Sequence, residues 1–300
     1  DEVLTPALTF VATANAVSYC GATPHLCDSE TTSFGIDAGK LDAHLAEIAE
    51  LTAEGCRNRL TGRRIAALLP VHVFGHPCDL AGLQSLAARW RLPLVEDAAE
   101  ALGSRYADRP LGGSGRVAAL SFNGNKIVTT GAGGAVLTDD DALADAAKHI
   151  TTTGKVPHRW RFDHDRVAFN YRLPNLNAAL GVAQLERLPD FVAAKRRLAQ
   201  RYHDAFQGFA GGHVVSEPAG CTSNYWLNTL RLDRPDAALR DRVLQATNDA
   251  GFLTRPAWTP MHQLDIYRHA PSMDLSVCDR LFDSLISLPS SAKLELDRDA

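Results

Sequence analysis

Runs of apolar residues alternate with amphipathic stretches over the first half of the chain. The runs Ile-Ala-Ala-Leu-Leu-Pro-Val from residue 65 and Val-Ala-Ala-Leu-Ser-Phe from residue 117 contain almost no polar position. Uninterrupted runs of this kind are typical of strands covered on both faces, as in a parallel sheet. The pattern predicts strands at residues 2–5, 24–28, 65–73, 93–96, 117–122 and 134–138.

Apolar positions at helical spacing lie between these runs. They predict helices at residues 13–19, 37–53 and 79–90, the last beginning with an aspartate cap. The acidic run at residues 139–141 precedes another helical pattern, and we interpret it as an N-cap cluster. Strands that alternate with helices indicate an α/β fold with right-handed crossovers.

The pattern changes near residue 175. Pro174 suits the first position of a helix, and a long amphipathic stretch follows to about residue 206 with a break near Pro189. We expect a large domain with a mainly parallel sheet at residues 1–190 and a smaller α+β domain at residues 191–300. The later pattern predicts strands at 225–232 and 252–255, and helices at 236–250 and 276–287.

Composition and charge exclude several classes of protein. Hydrophobic residues make up 45% and charged residues 22% of the chain, as in ordinary globular proteins. The net charge of −4 argues against a nucleic-acid partner. Residues 65–74, the longest apolar run, are far short of the ~20 that a bilayer requires, so we expect no membrane association. None of the six cysteines is spaced Cys-x-x-Cys, so we expect reduced thiols, a cytoplasmic protein and no metal site.

Reactive side chains follow the predicted strands. Asp97 ends one strand, Ser121 and then Lys126 follow another, and Phe10 comes after the first. In open α/β sheets, ligands bind in the crevice at these carboxyl ends. Individually, Asp97 could cap a helix, Lys126 could be a solvated lysine and Phe10 could belong to the core. Together they are the residue types of a pyridoxal phosphate (PLP) site, where a lysine forms a Schiff base and a carboxylate pairs with the ring nitrogen.

Four spaced motifs stand at residues 5–13, 95–103, 121–126 and 169–181, with the sequences TPALTFVAT, VEDAAEALG, SFNGNK and FNYRLPNLNAALG. Together they resemble the DegT/DnrJ/StrS sugar aminotransferases, which are fold-type-I PLP enzymes. The resemblance covers essentially the whole chain and implies a homodimer whose sites are shared between subunits. The segment from residue 158 to 165 is most similar to the LegC-type branch, which acts on UDP-4-keto-6-deoxy-N-acetylhexosamines.

The resemblance implies a role for each matching residue at the cofactor. Lys126 would hold PLP as an aldimine and then carry the proton during transamination, while Asp97 would keep the pyridine nitrogen protonated. Phe10 would stack on the ring, and Ser121 would donate a hydrogen bond to the phosphate. Asn170 would reach the phosphate from the partner subunit.

Further positions are implied to lie near cofactor or substrate. Glu100 stands where many members have glutamine, so its carboxylate requires a donor nearby. His262 falls in a segment that approaches substrate in relatives. Arg159 and Trp160 are basic and aromatic, which suits the diphosphate and base of a nucleotide sugar, although they could equally form a solvated loop. The implied reaction moves an amino group, from an amino acid such as L-glutamate, to a 4-keto nucleotide sugar, with the choice between UDP and GDP open.

One departure from the family leaves alternatives. Relatives carry roughly one more strand and helix upstream, with a Gly-Thr turn whose backbone amides cradle the PLP phosphate. This sequence begins without them, so we interpret it as a fragment of a longer gene product or as the product of a truncated gene. A catalytically silent protein that keeps the fold for binding therefore stays open. A PLP-dependent sugar dehydratase would have histidine at Lys126. An NAD-dependent oxidoreductase lacks its G-x-G-x-x-G sequence, because the glycine-rich stretches at 112–115 and 131–134 do not match it.

Overall fold

The computed structural model describes residues 1–296. Its helices are α1 Val11–Tyr19, α2 Ala38–Ile48, α3 Leu80–Arg89, α4 Asp141–Thr151, α5 Asn175–Glu186, α6 Leu188–Ala205, α7 Ala237–Asp249, α8 Ser276–Phe282 and α9 Lys293–Leu296. Its strands are β1 Glu2–Pro6, β2 Thr23–Cys27, β3 Ala49–Thr52, β4 Gly55–Asn58, β5 Ile65–Leu68, β6 Val95–Asp97, β7 Arg105–Tyr106, β8 Arg109–Pro110, β9 Val117–Ser121, β10 Gly134–Leu137, β11 Gly212–Val214, β12 Cys221–Thr222, β13 Asn228–Leu232, β14 Arg255–Pro256 and β15 Leu285–Leu288.

A mainly parallel sheet occupies the first half of the chain and confirms the predicted α/β class. Strands β2, β1 and β5 pair in parallel, as do β6 and β9, while β10 is antiparallel to β9. Parallel bridges from Leu68 to Leu94 and from Val71 to Asp97 join the two groups. The order is therefore β2-β1-β5-β6-β9-β10. The predicted strand 65–73 was too long, because Pro70 has no amide hydrogen and Phe74 adopts a positive φ of 57°.

Helices α2 and α3 cover the sheet through their apolar faces. Leu41 and Leu45 of α2 and Leu83 of α3 are fully buried in a core that includes Leu4 and Leu68 of the sheet. Aspartates cap four helices, as predicted for α3 and α4, and each carboxylate accepts a hydrogen bond from a first-turn amide: Asp37 at α2, Asp79 at α3, Asp140 at α4 and Asp236 at α7.

Several predicted element boundaries were wrong. The helix predicted at 37–53 ends at Ile48, and the chain continues into the hairpin β3–β4. Pro174 precedes the first residue of α5 with an extended ψ of 150°. The break between α5 and α6 is at Arg187, and Pro189 lies in the first turn of α6.

An antiparallel sheet in the order β11-β13-β15-β14 lies in the last third of the chain. The prediction of a helix at 276–287 was wrong at its end, because α8 stops at Phe282 and β15 occupies the middle of this sheet. Leu285 and Ile286 are fully buried there, because they pack into two different hydrophobic core clusters. The predicted strand 225–232 is shortened to β13, and the predicted strand 252–255 overlaps β14 only at Arg255.

A second core joins the two halves of the chain. It contains Leu8 and Ala14 near the start of the chain together with Trp226, Leu281 and Leu285 near its end. The division at residue 190 stays a prediction, and α6 runs across it from 188 to 205. Among residues 1–296, no helix is both long and apolar enough to cross a membrane.

Candidate active site

A cavity of about 700 Å³ opens beside the carboxyl ends of β6 and β9. This volume lies in the range of small-molecule and cofactor sites. Five residues singled out in the sequence line it together: Phe10, Asp97, Glu100, Ser121 and Lys126. Other lining residues include Thr9, Thr13, Asn123, Asn125, Trp226 and Trp258, which the sequence did not single out.

Asp97 is held by donors on two sides. Its Oδ2 accepts a hydrogen bond of 2.7 Å from the Thr13 hydroxyl, and its Oδ1 accepts one of 3.1 Å from the Ala99 amide. Thr13 lies on α1, three residues beyond Phe10, so both side chains reach the cavity from neighbouring positions. That i, i+3 spacing is a signal that the sequence analysis missed. A carboxylate oriented in this way can pair with a cationic ring nitrogen.

Lys126 reaches the cavity from the turn after β9. Its backbone amide donates to the Asn123 carbonyl at 3.0 Å, which closes the turn. Its Nζ lies 3.4 Å from Glu100 Oε1 and 4.0 Å from the centre of the Trp226 ring, and the side chain is only 11% exposed. The site therefore presents a sheltered primary amine with a carboxylate nearby.

Glu100 is buried and carries an unusual proton affinity. Its Oε2 accepts a 2.8 Å hydrogen bond from the Phe74 amide. Desolvation raises the pKa of Glu100 to about 7, although Lys126 and the Phe74 amide pull it down, while Asp97 adds to the rise. Phe74 and Lys126 are the donors that the sequence analysis required. Near neutral pH this carboxyl can exchange a proton with its surroundings.

Aromatic rings form one wall of the cavity. The Phe10 ring is 51% exposed at the mouth and lies 6.3 Å from Trp258. Trp258 contacts Phe74 at 4.9 Å and stacks on Trp226 at 6.4 Å with an interplanar angle of 19°. No local sequence pattern marks the two tryptophans, because they enter from the distant second half of the chain.

The first glycine-rich stretch supports the site from behind. The amides of Gly112, Ser114 and Gly115 donate to the buried Glu96 carboxylate, next to Asp97 in β6. His72 lies 3.2 Å from the same carboxylate. Desolvation opposes ionisation of Glu96, but His72 and the amides lower its pKa below the ordinary value. This stretch therefore binds a side chain of the protein itself.

The remaining predicted residues do not line this cavity. His262 Nε2 pairs with Asp279 on α8 at 2.9 Å. Arg159 and Trp160 are exposed and contact each other at 5.7 Å. Asn170 is exposed, and its backbone bridges to Thr152. Their predicted contacts with substrate or with the partner's cofactor stay predictions.

The residues that converge fit PLP. One cavity holds a primary amine, an oriented carboxylate, an open aromatic face and the hydroxyl of Ser121, whose Oγ accepts only a 3.3 Å bond from the Asn123 amide among the described contacts. Within residues 1–296, no group of three or more histidine, cysteine or acidic side chains is arranged to hold a metal ion.

Known proteins are similar to this chain in sequence and in fold. GDP-perosamine synthase of Caulobacter vibrioides is 37% identical over 99% of this chain and 77% of its own length. A putative pyridoxal phosphate-dependent aminotransferase, EpsN of Bacillus subtilis, is 32% identical over 99% of this chain and 74% of its own. The crystal structure of the aminotransferase TlmJ from Streptoalloteichus hindustanus superposes with a TM-score of 0.85 at 31% identity, covering 97% of this chain and 74% of that one.

The sequence model of the DegT/DnrJ/EryC1/StrS aminotransferase family matches residues 1–299, which is nearly the whole chain. The match, the relatives and the fold agree with the lysine and carboxylate found together in the cavity. The chain therefore belongs to the DegT/DnrJ/EryC1/StrS family of PLP-dependent aminotransferases.

Proposed function

We propose that the protein transfers an amino group from L-glutamate to the 4-keto carbon of a nucleotide-linked 6-deoxyhexose, for surface-polysaccharide or nonulosonate synthesis. The observation that carries the proposal is the convergence of Lys126, Asp97 and Glu100 in one cavity. The relative named GDP-perosamine synthase supports a GDP-linked sugar ahead of the UDP-linked sugars of the LegC-type branch. Six free thiols within the described residues support a cytoplasmic location.

Each cavity residue has a proposed task. PLP, when bound, withdraws electrons from the substrate carbon at which a proton is lost. Lys126 would anchor the cofactor, and its Nζ would then take that proton and deliver it to carbon C4′ of the cofactor. Asp97, fixed by Thr13, holds the ring nitrogen in its protonated form. Phe10 covers one face of the ring, and Ser121 donates to the phosphate.

The proposed assembly is a homodimer with shared active sites. The segment around Asn170 supports it, because large apolar side chains there are exposed to solvent in the single chain. Trp160, Phe162, Val167, Phe169, Tyr171, Leu176 and Val182 are among them. In the proposed dimer a second copy covers these side chains and Asn170 serves the partner's phosphate site, while Arg159, Trp160 and His262 contact the nucleotide sugar.

The sugar dehydratase and the catalytically silent scaffold, the two alternatives within this fold, require different residues in the cavity. A sugar dehydratase of this family would lack the lysine, so Lys126 favours amino transfer. A silent scaffold would not need a sheltered amine beside a carboxyl that titrates near neutral pH.

The test loads the protein with PLP and offers L-glutamate with GDP-, UDP- and TDP-linked 4-keto-6-deoxyhexoses. We expect visible absorbance from bound PLP, followed by 2-oxoglutarate and an aminated GDP sugar in the mass spectrum. Absorbance without any aminated product would overturn the proposed substrate class. No absorbance at all would favour the silent scaffold.

A further inference from the structure

The face of the Trp226 ring lies against the amino group of Lys126. Nζ is 4.0 Å from the ring centre, within the distance at which a cation interacts with an aromatic face. Trp226 is only 6% exposed, so little water competes for the contact. Glu100 Oε1 lies 3.4 Å from the same Nζ. The amine therefore lies between the face of an aromatic ring and a carboxyl oxygen.

Hydrogen bonds hold the Trp226 ring in this position. The indole Nε1 donates to the Asn125 carbonyl at 2.8 Å, which ties it to the residue before Lys126. The Trp226 amide donates to Asn224 Oδ1 at 2.8 Å. The Trp226 carbonyl accepts from the buried Lys195 Nζ at 3.1 Å, and Lys195 also donates to the Ser290 carbonyl. The ring is thus fixed before any ligand arrives.

The same segment controls the position of Glu100. Asn224 Nδ2 donates to the carbonyls of Glu100 and Leu102 at 2.8 and 2.9 Å. Trp226 and Asn224 therefore set the positions of Lys126 and Glu100 from one short stretch of the second half of the chain. The separation between the amine and its two neighbours depends on this stretch.

We propose that Trp226 is a positioning residue for the proton on Lys126: its ring face stabilises the ammonium form and fixes its place beside Glu100. The proposal rests on the role of Lys126 given above. When Nζ takes a proton from the substrate carbon it becomes a cation, and the ring face stabilises that cation until the proton is returned. No other reactant is needed.

A purely structural role for Trp226, through its bond to Asn125, would depend on the shape of the indole and on its N–H. The cation–π contact depends instead on the electron density of the ring face. Fluorinated tryptophans separate these roles, because they keep the shape and the N–H while they weaken the face. Lys155 is a matched control, since its Nζ lies 4.3 Å over the ring of Phe162, which this replacement leaves unchanged.

The experiment labels the full chain, freed of PLP, with trace acetic anhydride, which reacts only with neutral amines. Four preparations are compared, in which every tryptophan carries zero, one, two or three fluorine atoms. Mass spectrometry then measures the labelling of Lys126 and Lys155 in each preparation between pH 7 and 10. We expect labelling of Lys126 to rise step by step, to about five-fold at pH 8, which corresponds to about 1 kcal/mol. Its pH profile should move to lower pH while that of Lys155 stays fixed. Equal labelling of Lys126 at every degree of fluorination would overturn the proposal.

Point variants give a second measurement. Trp226→Leu removes the face, Trp226→Phe keeps a weaker face without the N–H, and Trp90→Phe removes an indole that bonds Asp42 elsewhere. We expect Lys126 labelling to increase in the order Trp90→Phe, Trp226→Phe, Trp226→Leu, and kcat of the PLP-loaded enzyme to fall more than KM changes. If Lys126 labelling changes in this order but neither the wild type nor any variant transfers an amino group, the proposed function is wrong while the proposed role of Trp226 at Lys126 stands.

Discussion

In the proposed mechanism Asp97 pairs with the ring nitrogen of PLP, and its two oxygens are fixed by Thr13 and by the Ala99 amide. Asp97→Asn fills the same space and can keep one of these bonds, but it cannot hold a charged ring nitrogen. We expect an unchanged urea midpoint and PLP binding, with single-turnover rates about 100-fold lower or more. Thr13→Ser, which keeps the hydroxyl, should retain most of the rate. A rate for Asp97→Asn within a few-fold of wild type would reject the role.

Glu100 makes the free energy of unfolding of the PLP-free protein depend on pH. Burial raises the pKa of Glu100 from its ordinary 4.5 to about 7. Between these pH values the folded chain binds more protons than the unfolded chain, so the free energy of unfolding falls as pH rises through this window. Glu100→Gln removes this contribution. We expect the fall in stability between pH 4.5 and 8 to shrink by at most about 3 kcal/mol in the variant.

Urea unfolding of the wild type and of Glu100→Gln between pH 4.5 and 8 measures this change in stability. The control is Glu50→Gln, which changes an exposed carboxylate and should leave the wild-type slope in place. Equal slopes in wild type and Glu100→Gln would show that Glu100 does not take up a proton on folding.

At the scale of single elements, helix starts are the best testable feature. The Asp79 carboxylate accepts a 3.0 Å hydrogen bond from the Gly82 amide at the start of α3. Asp79→Ala leaves that amide without this partner, so we expect the free energy of unfolding to fall by about 1 kcal/mol. Asp79→Asn, which keeps the acceptor oxygen, should lose only a few tenths in the same urea titration. An equal loss in both variants would place the contribution of Asp79 in its charge.

Strands that pair with distant segments were harder to predict from the local sequence than helix starts were. The segment Leu-Phe-Asp-Ser-Leu-Ile-Ser-Leu after residue 280 continues a helical pattern, yet its second half becomes β15. Pairing with β13 and β14 satisfies its backbone groups and buries Leu285 and Ile286. Local periodicity could not reveal these partners, because β13 begins more than fifty residues upstream.

At the scale of the whole molecule, the proposal that two subunits share each active site predicts the activity of mixed dimers. Lys126→Ala should abolish transamination, and Asn170→Asp should weaken PLP binding, because a carboxylate would face a phosphate with about two negative charges. If Asn170 serves the partner's site, a dimer of one chain of each kind has one site with both defects and one intact site. We expect the purified mixed dimer to recover toward half of wild-type activity.

Two differently tagged chains allow the mixed dimer to be isolated and its transaminase rate compared with both mutant homodimers. Recovery requires the second copy to supply Asn170. A rate no higher than the mean of the two homodimers would instead assign Asn170 to its own subunit's site, since each site would then keep one defect.

Local sequence determined much of the first half of the protein. Apolar runs marked β5, β9 and the approach to β6, since strands covered on both faces carry mainly apolar side chains. Aspartate caps at Asp79 and Asp140 marked helix starts, because they bond amides within three residues. The positions of Asp97 and Lys126 after their strands, together with the four motifs, also predicted the PLP-dependent chemistry.

Only the tertiary structure determined the contacts, the burial and therefore the protonation of the residues in the cavity. Trp226 bonds the carbonyl of Asn125, 101 positions away, and thereby lies over Lys126, a contact that no local pattern records. Burial raises the pKa of Glu100, and Lys126 and the Phe74 amide, each 26 positions away along the chain, lower it in part, a balance that exists only in the folded chain. Residue types are fixed by the sequence, but solvent exclusion and distance, which set their charge, belong to the folded chain.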